Sequence, residues 1–160
     1  MKIHESYLAR RRFLGTMVGG GAAALGAGMA APLVGYVGNF REEPPPEFLV
    51  LDRAECELEP GESVIVPYGQ IPVLLFRTPE GELRSFVAIC THFDCTVSYL
   101  PGERRIFCAC HEGYYDLEGN VISGPPPRPL DPAYWKLTGD KLILALEREN
   151  LEKALEQEQR

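Results

Sequence analysis

A chain of 160 residues, 45% hydrophobic and 24% charged, is long enough for one folded domain with an appendage and too short for two ordinary domains. Its formal net charge of -7 hides a split: Lys2, Arg10, Arg11 and Arg12 lie in the first dozen residues beside one acid, whereas beyond Phe40 12 Lys and Arg face 22 Asp and Glu. The part that must fold is strongly acidic, which argues against nucleic acid as a partner, because that needs a positive footprint.

Residues 1–12 form a basic, cytoplasmic N-terminus. Within it, the run Ala9-Arg-Arg-Arg-Phe-Leu-Gly15 resembles the twin-arginine export signal, with Arg10 and Arg11 as the pair. A plain basic flank obeying the positive-inside rule would read the same way. Residues 13–40 carry no charge, and a helix over 13–38 would extend about 39 Å, enough to span a bilayer with some tilt. Small residues four apart, such as Gly15 and Gly19, suit close packing against another membrane helix. A cleavage site at Gly28-Met29-Ala30 is the rival reading. Retention is expected, because the apolar run continues through Leu33, Val34, Tyr36 and Val37.

Residues 41–47, Arg-Glu-Glu-Pro-Pro-Pro-Glu, predict an extended tether. From 48 to 146 short apolar runs alternate with turn residues: Phe48–Leu51, Ser63–Val66, Val73–Arg77, Leu83–Ile89 and Lys141–Leu146. That rhythm predicts an all-β domain. Residues 147–160 are charged with sparse leucines and read as a short exposed helix or frayed tail.

The chemistry lies in two boxes, Cys90-Thr-His-Phe-Asp-Cys95 and Cys108-Ala-Cys-His-Glu-Gly-Tyr-Tyr-Asp116. Four of the five cysteines and two of the three histidines fall there, which points to a metal site. Two thiolates and two imidazoles suit either a single zinc or a two-iron cluster in which imidazoles replace two thiolates on one iron. Two further cysteines, one per box, would be redundant for zinc.

The region from Cys90 to Pro129 resembles the Rieske subunit of cytochrome bc-type quinol:cytochrome c oxidoreductases, and the layout of the chain agrees with it. The resemblance implies a Rieske fold, an antiparallel β-sandwich base with inserted cluster-binding loops at about 88–129, and one 2Fe-2S cluster. It implies Cys90 and Cys108 on the buried iron, His92 and His111 on the outer iron, and a Cys95–Cys110 disulfide joining the loops. Gly124-Pro125-Pro126-Pro127 is similar to the family's proline loop. A cluster assembled in the cytoplasm also suits a pathway that exports folded proteins, and the disulfide suits an oxidising compartment.

The function so implied is one-electron transfer. Quinol would meet His111 and the apolar Phe93, a cytochrome b-type membrane subunit would be the partner, and a cytochrome c-type protein the acceptor. The domain would lie on the periplasmic side of a bacterial inner membrane, held by a single pass. Tyr115 matches the family's tyrosine donor to a ligand sulfur, whereas Gly113 stands where many relatives have serine. One missing donor predicts a lower potential, suited to a quinol such as menaquinol, and a rise in Gly113→Ser. Phe93 and Asp94 stand where relatives often carry Leu and Gly, and Glu112 where many carry Gly. Rival readings are the small Rieske subunit of a periplasmic oxidase such as arsenite oxidase, and a structural zinc module. Cys56 and Trp135 read as packing residues, His4 as a surface residue.

Overall fold

The computed structural model describes residues 2–39 and 44–158. The chain divides into two units, Met1–Glu43 and Pro44–Arg160. The first is a single helix, α1 (Lys2–Asn39), which runs through the basic stretch and the apolar stretch alike instead of starting at residue 13. It continues through Pro32, whose missing N–H leaves one carbonyl of the preceding turn without its helical donor. Its portion Arg10–Gly38, 29 residues, is long and apolar enough to cross a membrane. Phe13, Leu14, Val18, Leu25 and Leu33 are all exposed. The expected tether lies partly outside the described residues, at 41–43; Pro44–Pro46 adopt no regular structure. The expectation for the His4 side chain also lies outside the described residues.

Among the described residues the second unit holds ten strands and one α-helix: β1 (Leu49–Asp52), β2 (Ser63–Tyr68), β3 (Ile71–Arg77), β4 (Leu83–Val87), β5 (Ser98–Leu100), β6 (Arg105–Cys108), β7 (Gly113–Tyr115), β8 (Val121–Ser123), β9 (Tyr134–Thr138), β10 (Lys141–Ala145) and α2 (Arg148–Glu158). They form three antiparallel sheets, ordered β1-β10-β9, β2-β3-β4 and β5-β6-β7-β8. The first and last strands of the domain pair with each other, Leu49 opposite Leu144, so the base is closed by residues far apart in sequence. The tail beyond 146 is not merely exposed. α2 packs on β9 and β10 with Ala154 buried.

Strand β3 explains the layering. Val73, Leu74, Leu75 and Phe76 are all buried, and successive side chains of a strand point to opposite faces. Val73 and Leu75 join a lower core with Val66, Tyr68, Leu142 and Leu144. Leu74 and Phe76 join an upper core with Phe86, Ala88, Val97, Tyr99 and Ile106. Cys56 belongs to the lower core and Trp135 packs against it, as expected of packing residues. The upper core also takes in Cys90, Cys108 and Tyr115, so the site is built into the packing of one end of the domain.

Candidate metal centre

The first box is a six-residue loop, Cys90–Cys95, and the second opens with another, Cys108–Gly113, both set on the upper core. The chain leaves β4, makes an isolated bridge between Ile89 and Thr96, and closes the first loop with Cys90 N–H donating to the Cys95 carbonyl at 2.8 Å. The second loop is the β6–β7 hairpin, in which Cys108 pairs directly with Gly113. Each loop reverses through a left-handed residue four positions after its first cysteine: Asp94 at φ 53 and Glu112 at φ 52. Glycine adopts that conformation without strain, whereas a side chain costs about 1–2 kcal/mol there. The two acids that depart from the resembled pattern thus sit where the backbone favours glycine.

The expected disulfide is present: Cys95 and Cys110 are bonded and join the two loops. The Cys108 sulfur lies within 4.8 Å of both, but two of those three sulfurs are already committed to each other, so the trio is not a three-thiolate cage. Cys90 and Cys108 are free thiols, 2% and 1% exposed. Burial pushes the Cys90 thiol up, but the Tyr115 hydroxyl, the His92 N–H, the Cys108 thiol and the Phe93 N–H together outweigh it and hold the thiol below its ordinary range. Burial and the neighbouring Cys90 push Cys108 up instead, against the N–H groups of Cys110 and His111. Burial, then the contact with Cys90, also pushes the Tyr115 hydroxyl up, so it remains a proton donor, 3.3 Å from Cys90 Sγ.

The His92 and His111 rings stand 4.7 Å apart and nearly perpendicular, the first half-buried and the second exposed. His92 Nδ1 is buried and has no hydrogen-bond partner among the described residues. An imidazole nitrogen left bare on the loop that also carries the buried Cys90 thiol fits a metal ligand better than a packing residue, because a buried polar atom without any partner costs about 1–3 kcal/mol. Phe93 is 71% exposed, its ring 4.4 Å from His92 and 6.0 Å from His111, so the tip of the domain is an aromatic side chain beside two imidazoles.

The run Gly124-Pro125-Pro126-Pro127 does form a third loop against the boxes. Gly124 has φ 94, and a Cβ there would come within 2.7 Å of the Glu112 carbonyl oxygen, so only glycine lets the loop approach. Pro126 is buried on Gly113, where an added Cβ would meet its Cγ at 2.8 Å. A serine at position 113 therefore has no free space, and placing one moves the Pro126 ring. The far end of the loop is pinned by Leu130 N–H to the Gly119 carbonyl, Val87 N–H to the Asp131 carbonyl and Ser85 Oγ to the Ala133 carbonyl. Sequence reasoning missed Thr91. Its Oγ1 donates to the Arg128 carbonyl at 2.7 Å and lies 3.2 Å from the Tyr115 hydroxyl, tying all three loops together. Nothing local marks it, since its partner is 37 residues away.

The Rieske [2Fe-2S] domain family matches residues 48–142. The chain is 32% identical over 137 residues to the cytochrome b6-f complex iron-sulfur subunit of Chlorobaculum thiosulfatiphilum, covering 85% of this chain and 75% of that one. It is 31% identical over 144 residues to the protein of the same name from Chlorobaculum tepidum, covering 86% and 75%. Among solved structures, a chain of a hyperthermophilic respiratory Complex III aligns at 27% identity and TM-score 0.50, over 76% of this chain and 96% of that one.

Proposed function

This chain belongs to the Rieske [2Fe-2S] family, and from that premise we propose that it is the membrane-anchored electron carrier of a quinol oxidoreductase. The family carries a 2Fe-2S cluster, and the donor set here fits one: Cys90 and Cys108 would hold the inner iron, His92 and His111 the outer. When bound, such a cluster accepts and releases one electron at a potential raised by having neutral imidazoles in place of thiolates. The protein supplies the rest. Backbone N–H groups and the Tyr115 hydroxyl converge on the Cys90 sulfur, the Cys95–Cys110 bond holds the loops together, and Pro126 on Gly113 keeps water from the buried side. On the open side, the exposed Phe93 would offer an apolar contact to the quinol ring, and the exposed His111 ring would accept the hydrogen bond of a quinol hydroxyl and take its proton.

The relatives are subunits of cytochrome b6-f complexes, so a cytochrome b-type subunit is the membrane partner in this reading, and a cytochrome c-type protein the acceptor. Helix α1 would be the single-pass anchor, with Arg10 and Arg11 in the export signal and the head on the extracytoplasmic side of a bacterial inner membrane. The acids Asp94 and Glu112 at the tip oppose added negative charge, which accords with a low-potential quinol such as menaquinol.

One observation carries the reading: the unpartnered buried His92 Nδ1 on the same loop as the free buried Cys90 thiol. The test is metal and sulfide analysis of the full chain purified from membranes under nitrogen, followed by electron paramagnetic resonance after reduction. About two irons and two inorganic sulfides per chain, with a Rieske-type signal, are expected. A colourless protein holding one zinc would overturn the assignment.

A further inference from the structure

Thr91 sits between Cys90 and His92, and its hydroxyl reaches two partners in other loops. One is the Arg128 carbonyl oxygen in the proline loop, at 2.7 Å; the other is the Tyr115 hydroxyl, at 3.2 Å. A carbonyl oxygen only accepts, so the single Thr91 hydroxyl proton goes to Arg128. The oxygen therefore turns lone pairs alone toward Tyr115. Tyr115 in turn has one hydroxyl proton and two acceptors within reach, Thr91 Oγ1 at 3.2 Å and Cys90 Sγ at 3.3 Å. As an iron ligand Cys90 is a thiolate and has no proton to give. Both contacts then draw on the same proton, while the Thr91 backbone N–H, 3.2 Å from the tyrosine oxygen, holds the hydroxyl between them.

We propose that Thr91 is a positioning residue that lowers the potential of the centre by competing with Cys90 for the Tyr115 proton, and that the proline loop holds it in the competing orientation. This rests on the family reading and on Cys90 as a ligand. The sign follows from electrostatics: a hydrogen bond to a ligand sulfur favours the more negative, reduced state, and whatever share of the proton Thr91 takes weakens that bond. The share is a minor one. At 3.2 Å the oxygen contact is longer than the usual 2.7–2.8 Å for O–H···O, so sulfur keeps most of the proton. Withdrawal of the Arg128 carbonyl reverses the effect, because the freed Thr91 proton then points at the Tyr115 oxygen and drives the tyrosine proton toward sulfur. Movement of the proline loop is thereby coupled to the potential through one hydroxyl.

The experiment is a redox titration of the full-length, cluster-loaded protein, followed by its paramagnetic signal, for wild type, Thr91→Val, Thr91→Ser, Tyr115→Phe and the Thr91→Val/Tyr115→Phe pair. Wild-type iron and sulfide content comes first, and its absence defeats the family reading, not the competition. At fixed applied potential, Thr91→Val is expected to raise the reduced-to-oxidised ratio about threefold, roughly 28 mV at 59 mV per tenfold for one electron. Thr91→Ser stays at the wild-type value and Tyr115→Phe moves the ratio the other way. In the Tyr115→Phe background Thr91→Val shifts nothing. An unchanged or lowered potential in Thr91→Val, or an equal rise without the tyrosine hydroxyl, overturns the proposal. Should Thr91→Val load no cluster, Thr91→Ala removes the same oxygen with less bulk and is read the same way. Failure of both to load also overturns it, since Thr91 would then be structural.

Discussion

The two cores on either side of β3 are similar in burial and opposite in what holds them. The lower core is mainly aliphatic: Val73, Leu75, Leu142 and Leu144 are fully buried beside Cys56 and Tyr68, and no candidate ligand is among them. The upper core includes the two candidate ligand thiols, Cys90 and Cys108, and the hydroxyls of Tyr99 and Tyr115, groups whose burial is costly unless something satisfies them. The lower core rests mainly on hydrophobic transfer, whereas the upper one would be completed by the group that Cys90, Cys108 and the histidines hold in the proposed reading.

The most severe way to test this contrast is to remove a ligand. Cys108→Ala is expected to abolish the paramagnetic signal altogether and to raise hydrogen exchange across β5–β8 toward that of an unfolded chain, while β1, β2 and β10 stay protected. Equal loss of protection in all three sheets would refute the division into two cores. The converse perturbation is Leu144→Ala, at 0% exposure in the lower core. It should cost about 2–5 kcal/mol in denaturant unfolding yet leave the reduction potential of the folded protein where it was. A shifted potential would show that the base, too, tunes the site.

The smallest effect concerns the tip. Glu112 is held at φ 52, so Glu112→Gly relieves about 1–2 kcal/mol of left-handed strain but adds about 0.4–1 kcal/mol of unfolded-state entropy. A net gain of about 0.5 kcal/mol is expected in thermal unfolding at equal cluster content. A loss would mean that the Glu112 side chain makes a contact worth more than its strain.

The same contrast governs what the sequence could tell. The boxes were legible as a metal site because four cysteines and two histidines cluster there, and the Cys95–Cys110 disulfide that the resemblance implied is present. Strands β1, β2, β3, β4 and β10 were legible from their apolar runs to within a few residues. Strands β5, β7 and β8 have three residues each and are interrupted by ligand loops, too short for alternation to show. Strand β9 was hidden for another reason: in Tyr134–Thr138 no residue is fully buried, so it belongs to the sheet by pairing rather than by hydrophobicity. Helix α2 was read as solvent-facing because its only buried residue is the small Ala154. The consequence of Gly113 was half-seen. The missing hydroxyl is written in the sequence, but the Pro126 ring that fills its place is 13 residues downstream and only the fold brings it there.

Because β3 gives alternate side chains to both cores, the base and the ligand-bearing end share a strand and cannot slide past each other. A one-residue slip would exchange Val73 and Leu75 with Leu74 and Phe76 and dismantle both at once. Within residues 48–146, base and ligand-bearing end are therefore held as one piece by a shared strand.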